Sequence, residues 1–330
     1  MKEKDIRPEK LLHRYLELSR KDSELCFADV KRQEILCVGC NNANNSFQFN
    51  KNGFHYTRCD SCGSLFQSPR PTIESFEAFY RESVSSVFWA EEFFPAVAEA
   101  RREQIFKPRV SKISEIFFKK NISIKNIVEV GAGYGIFLQE WEKIHTEANS
   151  IAIEPSASLA EECRGKGLQV IENIVENVTV LDNYADLVVC FEVLEHVYAP
   201  LVFVKDLLKI ARPGGYVFVS TLGIDGFDIQ TLWEKSNSIF PPHHINFLSI
   251  KGFKHLFTNA GLEEIEILTP GKLDVDIIQN AFNKDPDILK NQRFIQHILS
   301  EKSLSESFQK FLVENSLSSH TWIIGRKPKD

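Results

Sequence analysis

Short apolar runs alternate with amphipathic stretches through the middle of the chain. Residues 126–130 and 149–153 each form a short apolar run, and each precedes a stretch with helical periodicity, at 135–146 and 156–166. A short apolar run bounded by turn residues is typical of a strand that is buried on both faces of a parallel sheet. This alternation, with its short connections, predicts an α/β fold in which helices cover both faces of the sheet.

The alternation continues toward the C-terminus and is interrupted once. Residues 271–318 are polar and mainly helical in pattern, so we interpret them as a helical insertion before the last strand. The other elements predicted in this half of the chain are strands at 168–171, 186–191, 215–221, 263–268 and 321–325, and helices at 200–211 and 250–260.

The N-terminal third has a different organisation. Leucines at helical spacing in residues 7–21 predict an amphipathic helix within an N-terminal helical segment, 1–33. Residues 34–72 combine paired cysteines, several asparagines and the turn signal Asn52-Gly53, which predicts a small module of short strands. Residues 73–120 have helical periodicity and predict a helical connector to a domain at 121–330.

Four cysteines in the small module have the spacing of a zinc ribbon. Cys37 and Cys40 form one CxxC pair and Cys59 and Cys62 a second, with 18 residues between the pairs. Each pair forms a knuckle that presents two thiolates, and two knuckles complete a tetrahedron around Zn²⁺. Because cysteines fill all four positions, we predict a structural zinc, which supplies folding energy to a module too small for a large core.

A glycine-rich loop follows the first predicted strand of the α/β region. Gly131, Gly133 and Gly135 lie between that strand and a helix, where glycines let the backbone approach a ligand and the helix N-terminus favours anionic groups. Glu154 follows the next strand, and a carboxylate there can accept hydrogen bonds from both ribose hydroxyls of an adenosine ligand. A dinucleotide-binding loop of the GxGxxG type would need glycine where this chain has Ile136.

With the acidic Glu129 at the end of the strand, this pattern resembles the class I S-adenosylmethionine-dependent methyltransferases. Residues 184–197 match the fourth-strand motif of that family, and residues 207–219, with Arg212-Pro213-Gly214-Gly215, match the turn before its fifth strand. The resemblance implies a doubly wound, Rossmann-like, seven-stranded methyltransferase sheet. It also implies S-adenosylmethionine as cofactor, with these binding residues: Glu129, Gly131, Ala132, Gly133, Tyr134, Gly135, Glu154, Phe191 and Glu192.

Acidic and imidazole side chains near the predicted cofactor site admit three interpretations. In the first, His243 or His244 acts as general base, with His196 as a second candidate. In the second, Glu192, Glu195, His196 and either His243 or His244 hold Mg²⁺, Mn²⁺ or Zn²⁺. The ExxEH stretch resembles that of the ubiquinone-pathway O-methyltransferases, in which a divalent ion orients the hydroxyls. In the third, Glu192 lines the cofactor pocket while Glu195 and His196 cap the next helix.

Two further groups of residues leave alternatives open. Asp274 and Asp276, at the start of the insertion, either line a substrate pocket or belong to a solvated turn. Four residues of the connector either close over the cofactor or pack internally: Trp89, Phe93, Phe94 and Arg101.

Composition and charge narrow the class of partner. Hydrophobic residues make up 43% of the 330 residues and charged residues 25%, and the formal net charge is −6. A protein that binds mainly nucleic-acid phosphates is usually basic, so nucleic acid is an unfavoured partner. No apolar run approaches the roughly 20 residues that span a bilayer, and the N-terminus lacks the apolar region of a secretory signal. We therefore expect a cytoplasmic protein without a membrane span, and the sequence leaves a homo-oligomer open.

The order of segments bears on the methyl acceptor. Ribbon, helical connector, methyltransferase domain and insertion resemble methyltransferases of surface-glycan and sugar-modification pathways. The stretch Cys59-Asp-Ser-Cys62-Gly63-Ser64 resembles the N-terminal zinc module of the sugar C-methyltransferases. These resemblances imply a small-molecule acceptor, such as a hydroxyl or amine of a nucleotide sugar or glycan precursor. The alternatives are an RNA or protein methyltransferase whose ribbon recognises the substrate, and a non-catalytic scaffold that binds the cofactor.

Overall fold

The computed structural model describes residues 1–329, and the chain divides into two compact units. We call the first the ribbon unit; it comprises Met1–Phe93, Thr221–Phe253 and Ile267–Trp322. We call the second the sheet unit; it comprises Phe94–Ser220 and Lys254–Glu266 together with the chain from Ile323 onward. The domain boundaries drawn from the sequence stay a prediction.

A seven-stranded sheet dominates the sheet unit and confirms the predicted α/β fold class. The strands with parallel pairing include Ala185–Phe191, whose seven residues are all buried, as expected for a strand covered on both faces. Across the sheet the strands follow the order Glu263–Leu268, His320–Arg326, Ala211–Leu222, Ala185–Phe191, Asn126–Val130, Asn149–Ile153 and Gln169–Ile171.

The strand order reverses at one place in this sheet. From Asn126–Val130 the chain moves outward through Asn149–Ile153 to Gln169–Ile171, and then returns to Ala185–Phe191 on the other side of the first strand. In open α/β sheets, ligands bind beyond the carboxyl ends of the strands at such a switch point. The helices beside these strands are Phe94–Arg101, the π-helix Arg102–Phe106, Lys107–Lys119, Ile136–Ile144, Ala157–Gly165, the short 3₁₀ segment Val175–Asn177, Pro200–Ile210 and Ile250–Ala260.

The ribbon unit contains the predicted small module of strands. Asn45–Lys51 and Phe54–Cys59 form an antiparallel hairpin, with positive φ values of 48° at Asn52 and 79° at Gly53 in its turn. Leu65–Gln67 extends this sheet, and Arg32–Gln33 pairs separately with Arg70–Pro71. A fourth strand, Asn246–Phe247, comes from far along the chain and was not predicted.

Helices make up the rest of the ribbon unit, and they include the predicted helical insertion. The first long helix, Glu9–Phe27, continues past the predicted end at residue 21. Asp22, in the added part, is buried and accepts a hydrogen bond from Ser85 N, a partner that the local pattern does not reveal. No helix within residues 1–329 is long and apolar enough to cross a bilayer. The other helical segments are Glu3–Ile6, Ile73–Glu82, Val84–Phe88, Trp89–Phe93, Phe227–Leu232, Trp233–Lys235, Asp274–Lys284, Pro286–Leu289, Arg293–Ser300 and Lys302–Glu314.

Candidate active site

The glycine loop lies at the carboxyl end of Asn126–Val130, beside the switch point of the sheet. Gly131, Gly133 and Gly135 have φ values of 72°, 54° and 65°, a region that L side chains rarely adopt. A Cβ on Gly131 would lie 2.8 Å from Val193 Cγ2, whereas a Cβ on Gly133 would meet no atom within 4 Å. Packing therefore requires glycine at Gly131, and the backbone at Gly133 borders space that a ligand can approach.

Glu154 ties this loop to the end of the neighbouring strand. Its Oε2 accepts a hydrogen bond from Gly133 N at 2.8 Å, and its Oε1 accepts one from Ser156 N at 2.9 Å. Burial raises the pKa of Glu154, while these two N–H groups act in the opposite direction. A carboxylate has about four acceptor positions, so Glu154 retains capacity for hydroxyl donors.

Glu129 places a second carboxyl group under the loop. The residue is 3% exposed, and its Oε2 has no hydrogen-bond partner among residues 1–329. Burial raises the pKa of Glu129 well above its usual value, and the positive charge of Arg109 opposes this shift. Because an unpaired buried acceptor is costly, a ligand that offers a hydrogen-bond donor here would be stabilised.

Arg109 is a site residue that the sequence did not reveal. It belongs to the helix Lys107–Lys119 and is 5% exposed, and its Nη2 donates to Glu192 Oε1 at 3.1 Å. Its guanidinium carbon lies 4.5 Å from the centroid of the Phe191 ring. Burial lowers the pKa of Arg109, and the Glu192 carboxylate opposes this shift. The ion pair therefore holds a cation at the end of the strand Ala185–Phe191.

The backbone turns sharply where that strand ends. Glu192 has a φ of 55°, its N donates to Ser220 O at 2.8 Å, and its Oε1 also accepts from Ser220 Oγ at 2.6 Å. Such a conformation in a residue other than glycine is often found at functional sites. Glu195 and His196 lie in the following turn; since the next helix begins at Pro200 with Ala199 as its N-cap, the interpretation that they cap it is wrong.

One of the four connector residues with an open role, Phe94, contacts the glycine loop, and Arg101 lies beside it. The rings of Phe94 and Tyr134 stack with centroids 4.6 Å apart and planes 5° apart, and the Arg101 guanidinium carbon lies 5.4 Å from the Phe94 centroid. Trp89 and Phe93 instead stack on each other inside the ribbon unit, with centroids 4.5 Å apart. Packing therefore accounts for Trp89 and Phe93, while Phe94 borders the loop and Arg101 packs on Phe94.

Residues 240–249, which we call the histidine loop, belong to the ribbon unit, and Ser238, just before the loop, fixes the tautomer of His244. His244 is 8% exposed, and its Nδ1 lies 2.7 Å from the carbonyl oxygen of Ser238. Because a carbonyl can only accept, Nδ1 carries the proton, and in the neutral ring Nε2 is then the acceptor nitrogen. This tautomer suits both a general base and a metal ligand.

His243 has surroundings of another kind. Its Nε2 lies 2.9 Å from Ser85 Oγ, and its ring lies among aromatic side chains, with centroids of Tyr15 and Phe79 at 5.3 Å and 4.9 Å. These contacts are those of a packed internal histidine. The ion set predicted from Glu192, Glu195, His196 and either His243 or His244 includes residues of both units and stays a prediction.

Asp274 and Asp276 have structural contacts within the ribbon unit. Asp274 is buried and accepts hydrogen bonds from Ser318 Oγ at 2.6 Å and Ser319 N at 2.8 Å. Asp276 accepts a hydrogen bond from Lys2 Nζ at 2.7 Å. Neither residue therefore belongs to a plain solvated turn, and Asp274 fixes the segment that leads into the last strand.

The four predicted zinc ligands lie together in the ribbon. Their sulfur atoms are all within 4.8 Å of one another, and two Sγ–Sγ distances, Cys37 to Cys62 and Cys40 to Cys59, are 3.5 Å. Tetrahedral Zn²⁺ with Zn–S bonds of about 2.3 Å separates its sulfurs by about 3.8 Å, so this donor set fits the ion.

Comparison with known proteins shows the family to which the chain belongs. A family model described as a methyltransferase domain matches residues 97–267, more than half of the chain. The chain belongs to this methyltransferase family. The assignment confirms the resemblance found in the glycine loop and the two downstream motifs.

Individual relatives of this methyltransferase cover smaller parts of it. The ubiquinone biosynthesis O-methyltransferase of Methylococcus capsulatus is 37% identical over 103 residues, which cover 30% of this chain and 44% of the relative. The mitochondrial enzyme of the same name from Schizosaccharomyces pombe is 28% identical over 181 residues, 52% of this chain and 64% of the relative. The chain thus spans less than two thirds of the length of these curated relatives.

Solved structures support the fold of this methyltransferase. The plantazolicin methyltransferase BpumL, determined in complex with SAH, superposes with a TM-score of 0.50 at 12% sequence identity, over 77% of this chain and 94% of that chain. At this identity the similarity shows the shared fold.

Proposed function

We propose that this methyltransferase uses S-adenosylmethionine to methylate a hydroxyl group of a small-molecule acceptor. The observation that carries the proposal is the hydrogen bond between Gly133 N and Glu154 at the switch point of the sheet. This hydrogen bond joins a glycine loop that borders open space to a carboxylate that can accept hydrogen bonds from ribose hydroxyls. Methyltransferase family membership supports the same cofactor.

The residues around the loop match the parts of this cofactor. Glu154 would accept hydrogen bonds from the ribose hydroxyls, and the unpartnered Oε2 of Glu129 would accept one from the ammonium group. Arg109 is the nearby cation for the carboxylate of the methionine part. Bound S-adenosylmethionine supplies a methyl group activated by its sulfonium. The full proposed cofactor set is Glu129, Gly131, Ala132, Gly133, Tyr134, Gly135, Glu154, Phe191 and Glu192, with Arg109 added.

We assign the general base to His244 among the three predicted histidines. Its Nε2 is the acceptor nitrogen because Nδ1 donates to Ser238 O. When bound, S-adenosylmethionine would supply its methyl group to the acceptor oxygen and leave as S-adenosylhomocysteine, and His244 Nε2 would take the proton that the hydroxyl loses. His243 has the contacts of a packing residue, and His196 remains the second candidate.

The acceptor class that we propose is a sugar or glycan precursor, such as a nucleotide sugar. The support is the resemblance of the CxxCGS stretch at Cys59–Ser64 to the zinc module of sugar C-methyltransferases. The curated relatives are named as O-methyltransferases, which favours oxygen over nitrogen as the accepting atom.

We also propose one structural zinc ion at Cys37, Cys40, Cys59 and Cys62. The support is a set of four sulfurs that fits tetrahedral Zn²⁺ and leaves no ligand position for substrate. Elemental analysis should find about one zinc per chain, and C59S should lower that content. A purified, folded chain without zinc would contradict the assignment.

The test of methyl transfer offers S-adenosylmethionine with a labelled methyl group to a panel of nucleotide sugars and glycan precursors. We expect a labelled product, and we expect H244Q to lower kcat by about 10²- to 10⁴-fold without weakening cofactor binding. H145Q, at a half-buried histidine of the sheet unit, serves as the matched control. An H244Q variant with the wild-type rate would refute the assigned base, and cofactor binding without transfer to any acceptor would support a scaffold instead.

A further inference from the structure

The histidine loop is joined to the ribbon through the sheet. Its strand Asn246–Phe247 pairs antiparallel with Leu65–Gln67, and Asn246 faces Phe66 in the register. Gln67 N also donates to Ile245 O at 3.0 Å. The loop therefore supplies the fourth strand of the ribbon sheet, although almost 180 residues separate the paired strands.

Two buried side chains of the ribbon hold the chain at the proposed base and at Asn246, two residues after it. Tyr56 OH donates to the carbonyl oxygen of His244 at 2.6 Å. Arg70 Nη2 donates to Asn246 Oδ1 at 2.7 Å. Both side chains are fully buried, so these hydrogen bonds are shielded from competing water.

The contacts continue to the cysteine knuckle. Ser249 Oγ donates to the carbonyl oxygen of Cys62 at 2.5 Å, and Ser249 N donates to Ser64 Oγ at 3.1 Å. A Cβ on Gly252 would lie 2.1 Å from Ser64 Oγ, so the chain after the loop packs directly on the knuckle. Residues 244–252 are thus held at both ends by the ribbon.

The contacts between the ribbon and residues 244–252 depend on the proposed zinc ion. The buried cluster at the cysteine end of the ribbon consists of Cys37, Cys59, Cys62 and Phe66, which is too small a core to maintain the knuckles without the ion. We infer that the zinc ribbon sets the position of the histidine loop, with Tyr56 and Arg70 as positioning residues for methyl transfer. The inference rests on the proposed function, because it takes His244 to be the base.

The first test is hydrogen exchange on the full chain, followed by mass spectrometry, before and after zinc is removed with a chelator. We expect amides of residues 244–252 to exchange at least tenfold faster without zinc, whereas Asn126–Val130 should keep its protection. Unchanged exchange in 244–252 after complete loss of zinc would overturn the inference. This measurement needs no methyl acceptor, so its result is independent of whether the proposed function holds.

The second test removes the hydroxyl of Tyr56, which donates to the loop at the carbonyl oxygen of His244. Y56F keeps the ring contacts of Tyr56 with Phe49 and Phe247, and Y216F, at a buried tyrosine of the sheet unit, is the matched control. We expect Y56F to lower kcat by about 10- to 100-fold with cofactor affinity and zinc content unchanged, because a small displacement of a reacting group is enough for such a loss. R70K keeps the positive charge but replaces the planar guanidinium, with its several N–H donors, by a single ammonium group. We expect R70K to lower kcat as well. Wild-type kcat in both variants would overturn the positioning role.

Discussion

Replacing Gly133 by alanine separates the cost of backbone strain from the cost of filling the cofactor site. Gly133 has a φ of 54° and a Cβ there would meet no protein atom within 4 Å. Gly53, in the hairpin turn of the ribbon, has a φ of 79° and the same open surroundings. Each substitution forces alanine into the left-handed region, which costs about 1–2 kcal/mol of folding stability. We expect each variant to melt a few degrees below the wild type.

The two variants should differ in cofactor affinity. The added methyl group of G133A projects into space that we assign to S-adenosylmethionine, and one misplaced methyl-sized group costs about 1–3 kcal/mol in a fitted pocket. Calorimetric titration should therefore show a Kd for S-adenosylmethionine that is about 10- to 200-fold higher for G133A. G53A should bind as the wild type does. Equal affinity of G133A and wild type, or an equal loss in G53A, would refute the reasoning.

Two further predictions concern buried charges. Burial beside the Asp274 carboxyl raises the pKa of Asp228 to about 8, so the folded chain keeps a proton that the unfolded chain releases above about pH 4. The unfolding free energy should consequently fall as pH rises from about 4 to 8, and melting curves should show a weaker dependence on pH in D228N. The same dependence on pH in D228N and wild type would contradict the raised pKa of Asp228. Arg109 pairs with Glu192 and lies over the Phe191 ring, so R109K should weaken cofactor binding and lower the melting temperature, because lysine offers neither the fork of donors nor the planar stack. Wild-type binding and melting in R109K would show that neither contact matters.

The strands of the large sheet could be predicted because their signal is local. The predicted strands 126–130 and 149–153 coincide with Asn126–Val130 and Asn149–Ile153, since buried parallel strands are short apolar runs bounded by turns. The strand Asn246–Phe247 gave no such signal. Two residues carry little pattern, and their partner Leu65–Gln67 lies far away in the sequence.

The candidate site was predictable to the extent that one motif encodes it. Gly133 and Glu154 were predicted together, and the structure joins them by a hydrogen bond. Arg109 and Tyr56 were missed because their roles depend on which distant residues the fold brings beside them. Residues of this kind lie in ordinary helical or strand patterns, so sequence spacing alone does not distinguish them from packing residues.

We propose above all that the loop at residues 131–135 and the carboxylate of Glu154 bind S-adenosylmethionine. Isothermal titration of the purified chain with S-adenosylmethionine and, separately, with NAD tests it most directly. We expect saturable binding of about one S-adenosylmethionine per chain, loss of this binding in E154A, and no binding of the dinucleotide. Saturable binding of NAD together with none of S-adenosylmethionine would contradict it.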